Sequence, residues 1–268
     1  MKIDKRKIFI IVVLAVCIIS INLAVFLQIT EKSDQDETYE TIDTTLLTEN
    51  FYSIFDNKLD YQGNNINIQK IDASKEVIYI SYYDEKKLEN TYDISVAIPN
   101  FNINTVEAQK INQEINNLFY NKATNIVSNI NSNTIYNVKY KAYINDNIIS
   151  LIISATLKEG DNPQRLIIKT YNYNISSNEE ITLDKLIEYR KLPKQIVQDK
   201  ITETIKTSSE NAKKYNELGY NKYERDINSG IYKLENTKIF FVGENKALYI
   251  IYPYGNSNYT TELDLLVI

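Results

Sequence analysis

Two adjacent carboxylates stand together at Asp84-Glu85 and again at Glu179-Glu180. A pair of carboxyl groups is what glycoside hydrolysis needs for its general acid and base. Both pairs sit among polar residues, where neighbouring charges are normally solvated, so they are read as exposed surface. The 268 residues contain no histidine and a single cysteine, Cys17. Imidazole-activated Ser and Cys nucleophiles and histidine-containing zinc sites are thereby excluded. Ser-x-x-Lys, the Walker phosphate loop, the dinucleotide-binding glycine fingerprint and the acidic alternation of an EF-hand do not occur either. The chain is expected not to be an enzyme, to carry no cofactor and to ligate no metal.

A second group of residues suits recognition better than catalysis. Tyr252, Tyr254 and Tyr259 flank Pro253 and lie close in sequence to Glu262 and Asp264. Tyrosine offers rigid amphipathic contact area, and exposed carboxylates steer a basic partner. These five are the candidate ligand-binding residues, against the alternative that the tyrosines are strand residues half in the core. The stretch Lys158 to Arg165, with Gly160 and Pro163, is read as a turn whose functional alternative is part of a binding rim. Asn, Ile, Lys and Tyr together make up nearly half the chain, as an AT-rich coding sequence would give, which lowers the meaning of any single tyrosine.

The position of these residues relative to the membrane follows from the N-terminus. Residues Ile8 to Ile29, IFIIVVLAVCIISINLAVFLQI, form an apolar run long enough to cross about 30 Å of hydrocarbon as a helix. Lys2, Lys5, Arg6 and Lys7 precede it, so residues 1–7 are expected to be cytoplasmic and everything after Ile29 extracellular. The small residues that signal-peptidase cleavage needs are poorly placed, and an uncleaved single-pass anchor in the cell membrane is expected. Cys17 is then an apolar filler. Beyond residues 1–7 there remain 26 basic and 34 acidic residues, a net of −8. Nucleic acid is a poor partner for such a domain, and a basic protein suits it better.

Residues 30–50 are polar and acidic and read as a stalk, with a folded domain over 51–268. Tyr92, Ile94, Val96 and Ile98 alternate as a half-buried strand that Pro99 is expected to stop. Val138 to Ile144 and Ile148 to Leu157 form a hairpin about Asn145-Asp146-Asn147. Further strands are expected at Leu166 to Ile175, Lys238 to Val242, Ala247 to Tyr252 and Thr261 to Ile268. Asn104 and Glu107 propose a cap for a helix with the stripe Ile111, Ile115, Leu118, Phe119, Ala123, Ile126 and Ile130. Thr182 caps a short helix Leu183 to Tyr189, and Pro193 begins a longer one with Ile196, Val197, Ile201 and Ile205 inward, weakening near Lys213. Blocks of strands and helices without strict alternation indicate an α+β fold: a mainly antiparallel sheet with two principal helices packed on it, behind an N-terminal transmembrane helix.

The strand ending in Pro99, the helix with EAQKINQEINNLF, the hairpin VKYKAYINDNIISLIISATL, the segment KTYNYNISSNEEITLDKLI and the terminal FFVGENKALYIIYPYGNSNYTTELDLLVI occur in an order that resembles a known module. It is the extracytoplasmic module of RsiV-type anti-sigma factors, also found ahead of the catalytic domain in PdaC-type peptidoglycan deacetylases, and the resemblance covers about Tyr92 to Ile268. It implies binding, in the anti-sigma members of host lysozyme, a small basic protein. The sequence departs from these families in three ways. Met1 to Lys7 is too short to hold a sigma factor, metal-ligating histidines of a deacetylase are missing, and Lys158 to Arg165 replaces a loop containing Gly and His.

The expected function is therefore a membrane-anchored, non-catalytic extracytoplasmic binding module for lysozyme, another basic protein or peptidoglycan. The alternatives are a cell-wall-acting enzyme with a carboxylate site and a structural component of an envelope complex.

Overall fold

The computed structural model describes residues 51–62, 68–255 and 260–268. The apolar run Ile8 to Ile29, the stalk and Tyr259 lie outside them. The hairpin read from alternation is the centre of the architecture. β4 (Thr134–Asn145) and β5 (Ile148–Lys158) pair antiparallel from Ile135↔Lys158 to Asn145↔Ile148. Asp146 makes the turn possible with a left-handed backbone, φ 53°, which Asp tolerates. Most of β5, IISLIISATLK, is buried, and its nearly unbroken apolar run is that of a strand covered on both faces.

Five more strands complete a seven-stranded sheet: β1 (Leu59–Gln62), β2 (Ile78–Leu88), β3 (Tyr92–Phe101), β6 (Arg165–Asn174) and β7 (Glu179–Glu180). The order is β2-β3-β4-β5-β6-β7, with β1 on the far half of β4. The fold is α+β and the pairing mainly antiparallel, except that β3 and β1 both run parallel to β4. A parallel neighbour needs a crossover, and the helix after β3 supplies it.

That helix comprises α1 (Val106–Ile115), a π turn at Asn116–Tyr120 and α2 (Asn121–Ser128). Its cap is Thr105, whose hydroxyl accepts from the Ala108 N–H, and not Asn104; Glu107 instead pairs with Lys110 at 3.0 Å. Ile111, Ile115, Phe119, Ala123 and Ile126 are buried against the sheet, whereas Leu118 is exposed, because only one of two successive residues at the π turn faces inward. Pro99 does not stop β3. It sits opposite Ile80 beside a bulge at Ser81, where the ladder is already interrupted and the missing N–H is tolerated.

On the opposite face lie α3 (Leu183–Tyr189), capped by Thr182, and α4 (Lys194–Glu217), which starts after Pro193. Val197, Ile201 and Ile205 of α4 are buried, followed by Ser209 and Ala212; Ile196, one position off that stripe, is half exposed. A second, three-stranded antiparallel sheet consists of β8 (Phe240–Val242), β9 (Leu248–Pro253) and β10 (Leu263–Val267). With α3 and α4 it encloses a second core that includes Ile148 of β5. Among the described residues no helix is long and apolar enough to cross a membrane.

The two sheets meet through a polar seam. On the β9 side β8 is bonded at Ile239 and Gly243, so Phe240 and Val242 turn their backbone groups the other way, toward the large sheet. There the partners are side chains. Ser150 Oγ accepts from Val242 N–H at 3.0 Å, and Asn172 Nδ2 donates to Phe240 O at 2.8 Å. Thr170 Oγ1 accepts from Phe240 N–H at 3.2 Å, and Asn145 Nδ2 donates to Val242 O at 2.9 Å. Ser150 and Asn172 are cross-strand partners that also bond each other at 2.7 Å. Phe241 then stacks between Tyr249, 4.4 Å between centroids, and Tyr143, 6.1 Å. Gly243 gives the rings room, since a Cβ there would stand 2.6 Å from the Tyr249 ring.

Ser150→Ala leaves the Val242 N–H buried without its acceptor, and Asn172→Ala does the same to the Phe240 carbonyl. Each is expected to lower stability by about 1–3 kcal/mol. Urea unfolding of the full chain, followed by circular dichroism, measures this, and midpoints equal to that of the parent would contradict the seam's role.

Candidate functional site

β9 and β10 carry two of the candidate recognition residues, and their register sets Asp264 opposite Tyr252. Asp264 points inward and is only 5% exposed. Its partner comes from the segment after α4: Arg225 holds it with two bonds, Nε to Oδ2 at 2.9 Å and Nη2 to Oδ1 at 2.8 Å. Tyr254 OH donates to Asp264 Oδ2 at 2.7 Å and shares a 2.8 Å hydrogen bond with Tyr232 OH. Glu262, with a side chain 15% exposed, lies 3.6 Å from Arg225 and 3.9 Å from Lys222. The carboxylate of Asp264 is thus fully bonded within the molecule, and the network binds the segment after α4 to β10.

Of the five candidate residues, the structure brings four into one neighbourhood and leaves one outside the described residues, Tyr259. The expected exposure is not found. Tyr252 and Tyr254 are buried, Tyr252 OH bonds Thr237 Oγ1 at 2.8 Å, and Asp264 is internal. Only Glu262 reaches the margin of an open cleft, which runs between the end of α4 and Thr261 to Leu263. The reason is the period-two facing of β9, which sets Tyr252 with Leu248 and Ile250 in the second core, and the distant Arg225, which allows Asp264 to follow it.

The turn Lys158 to Arg165 lies beside this hairpin. Leu166 N–H donates to Thr260 O at 2.7 Å, and Gly255 passes so close to the Leu166 carbonyl that a Cβ would meet its oxygen at 1.7 Å. Gly160 adopts φ 58°, its carbonyl accepts from Asn133 Nδ2 at 2.9 Å, and Glu159 pairs with Lys122 at 2.7 Å. Two segments far apart in sequence therefore share one end of the domain, the turn being tied to α2 as well.

The carboxylate pairs do not form facing acids. Asp84 and Glu85 are successive residues of β2 and point to opposite sides, each bonded by a tyrosine, Tyr82 at 3.3 Å and Tyr83 at 2.5 Å. Glu179 and Glu180 alternate likewise on β7. Partial desolvation, then the charges of Glu114 and Glu107, push the Glu180 carboxyl above its ordinary value. Among the described residues no group of three His, Cys, Asp or Glu side chains is placed to hold a metal ion.

A second buried cation lies in the large sheet, and alternation in the sequence does not mark it. Lys141 lies on the β4 face opposite to Tyr140 and Ala142, and its side chain is 4% exposed, with the ammonium between Asp56 at 3.0 Å and Asp60 at 2.5 Å. The chain from Phe51 to β1 covers that face, a packing that alternation within β4 does not reveal. The repeat Asp56-x-x-x-Asp60 was the only local sign of it.

Burial, with the Asp264 charge next, raises Tyr254 far above the ordinary tyrosine value, and burial holds Tyr232 and Tyr252 at about 12. Raised folded values mean that the stability these groups contribute is complete below the unfolded value of 10 and is lost as the pH climbs toward 12. Stability is thus expected to fall steeply above pH 10. Tyr254→Phe should cost about 1–3 kcal/mol at neutral pH and make that alkaline fall shallower. Unfolding midpoints against pH, with tyrosinate absorbance as the second signal, check both, and an unchanged slope would contradict the buried network.

No protein-family model matches the chain, and no curated protein matches it. Among solved structures, it is similar to the crystal structure of a DUF3298 family protein from Pseudomonas aeruginosa. The identity is 10% and the TM-score 0.44, over 70% of this chain and 88% of that one.

Proposed function

We infer that the chain is a membrane-anchored extracytoplasmic binding module. In this reading the run Ile8 to Ile29 anchors it, the basic residues 2–7 remain cytoplasmic, and the domain that follows recognises lysozyme, another basic protein or peptidoglycan without acting on it. The observation that carries the reading is the charge beyond the N-terminus, 26 basic against 34 acidic residues for a net of −8. Such a surface attracts cationic partners from a distance and raises their association rate. The scaffold supports recognition as well. A central strand buried on both faces and two internal charge clusters, Arg225 with Asp264 and Lys141 with Asp56 and Asp60, hold the connecting turns in fixed positions.

Calorimetry of the full chain in a membrane mimic, with lysozyme and with soluble peptidoglycan fragments, is the test. Binding of lysozyme is expected to weaken as ionic strength rises, because exposed charges are screened over about 8–10 Å at physiological salt. Failure to bind either ligand would overturn the reading. A mass change in the fragments would overturn its non-catalytic part.

A further inference from the structure

The open cleft beside the charge network has a composition that the network does not explain. Its volume is 360 Å³, within the range of small-ligand sites. One wall is a stripe of α4 at helical spacing, Ser208, Asn211 and Tyr215, and the other is formed by Thr261 and Glu262. Tyr52 stands at the edge of the cleft.

The two aromatic side chains are open and yet held in place. Tyr52 is 62% exposed, and its ring packs edge-on at 5.3 Å against Phe51, which is buried. Tyr215 is 50% exposed and meets Tyr220 edge-on at 5.9 Å. The turn after α4 is fixed by the Asn216 amide, which donates to Lys222 O at 2.9 Å and accepts from Lys222 N at 2.6 Å. In the same cleft the Ser208 and Thr261 hydroxyls and the Asn211 amide make no hydrogen bond to any described group. Each of them both donates and accepts. The charges are balanced within the cleft: Arg225 is committed to Asp264, and Lys222 lies 3.9 Å from Glu262.

The geometry points to a carbohydrate site: a neutral oligosaccharide stacking the C–H faces of its pyranose rings on Tyr52 and Tyr215 and hydrogen-bonding Ser208, Asn211 and Thr261 through its hydroxyls. Open aromatic rings flanking mixed donor-acceptor groups match a sugar, which has an apolar face and a polar edge on every ring. Balanced charge favours a neutral ligand over an anionic one, because a charged ligand would bring in a charge with no free counterpart. The inference rests on the reading of the chain as a binding module and assigns that module a ligand class and a place.

The test is calorimetry of the full chain in nanodiscs, which avoids sugar-based detergents, with chitotetraose, cellotetraose and maltotetraose as probes. At least one is expected to bind. Tyr215→Ala and Tyr52→Ala should each weaken that binding about tenfold or more, and Asn211→Ala by a few fold, with unfolding midpoints near the parent's since these side chains are exposed. Tyr215→Phe should retain most of the affinity, because the ring face is kept. Binding of none of the three probes, or binding unaffected by both tyrosine truncations, would overturn the assignment. If lysozyme still binds in either of those cases, the carbohydrate site falls and the binding module stands.

Discussion

The two hydrogen-bonding edges of β8 are satisfied in different ways, and the rest of the molecule follows from that difference. One edge is bonded to β9 as a strand. The other ends on the side chains of Asn145, Ser150, Thr170 and Asn172, which stand up from the face of the large sheet. A strand edge pressed onto a sheet face leaves its N–H and C=O groups out of water, and each would cost about 1–3 kcal/mol if unpaired. Polar residues in the middle of apolar strands meet that demand, and in doing so they fix where the second sheet can stand. Because β8 carries β9 and β9 carries β10, this contact places the Arg225–Asp264 network and one wall of the cleft.

The two buried cations act on the same problem at the margins of the domain. Arg225 is enclosed by Asp264, Glu262 and the Tyr254 ring, 5.2 Å from its guanidinium carbon, and Lys141 by Asp56 and Asp60. Buried ion pairs add little net stability over apolar residues of the same shape, but a lost partner is costly, so they select one arrangement over its neighbours. Here Lys141 selects the path of the chain from Phe51 into β1, and Arg225 selects the path out of α4. Both paths border surface on which Tyr52 and Tyr215 are displayed, so the charge pairs bear on where those two rings stand.

Much of this was legible in the residues. The β4–β5 hairpin is visible in the alternation about Asn145-Asp146-Asn147, and Thr182 and Pro193 mark the starts of their helices. What escaped was decided by partners distant in sequence. Pro99 looks like a strand end until Ser81, next to its partner Ile80, is seen to bulge. β2 hid its strand because Asp84, Glu85, Lys86 and Lys87 break the apolar alternation on an edge that needs little of it. Asp264 reads as a surface carboxylate because its counter-ion is 39 positions away. Ser150 and Asn172 read as interruptions, and only the approach of β8 shows that they are the contact. Tyr252 and Tyr254 take the alternative reading, as residues of the core, since period two says which residues share a side of a strand but not which side is covered.

The side-chain seam joins both sheets into one cooperative unit, and amide hydrogen exchange measures this directly. In the isotope-labelled full chain under native conditions, the Val242 and Phe240 amides should exchange only through global unfolding, as slowly as the amides of Ile152 and Ile153 in the centre of β5. Exchange of Val242 and Phe240 much faster than the β5 amides would mean that the second sheet opens by itself, and would contradict the account.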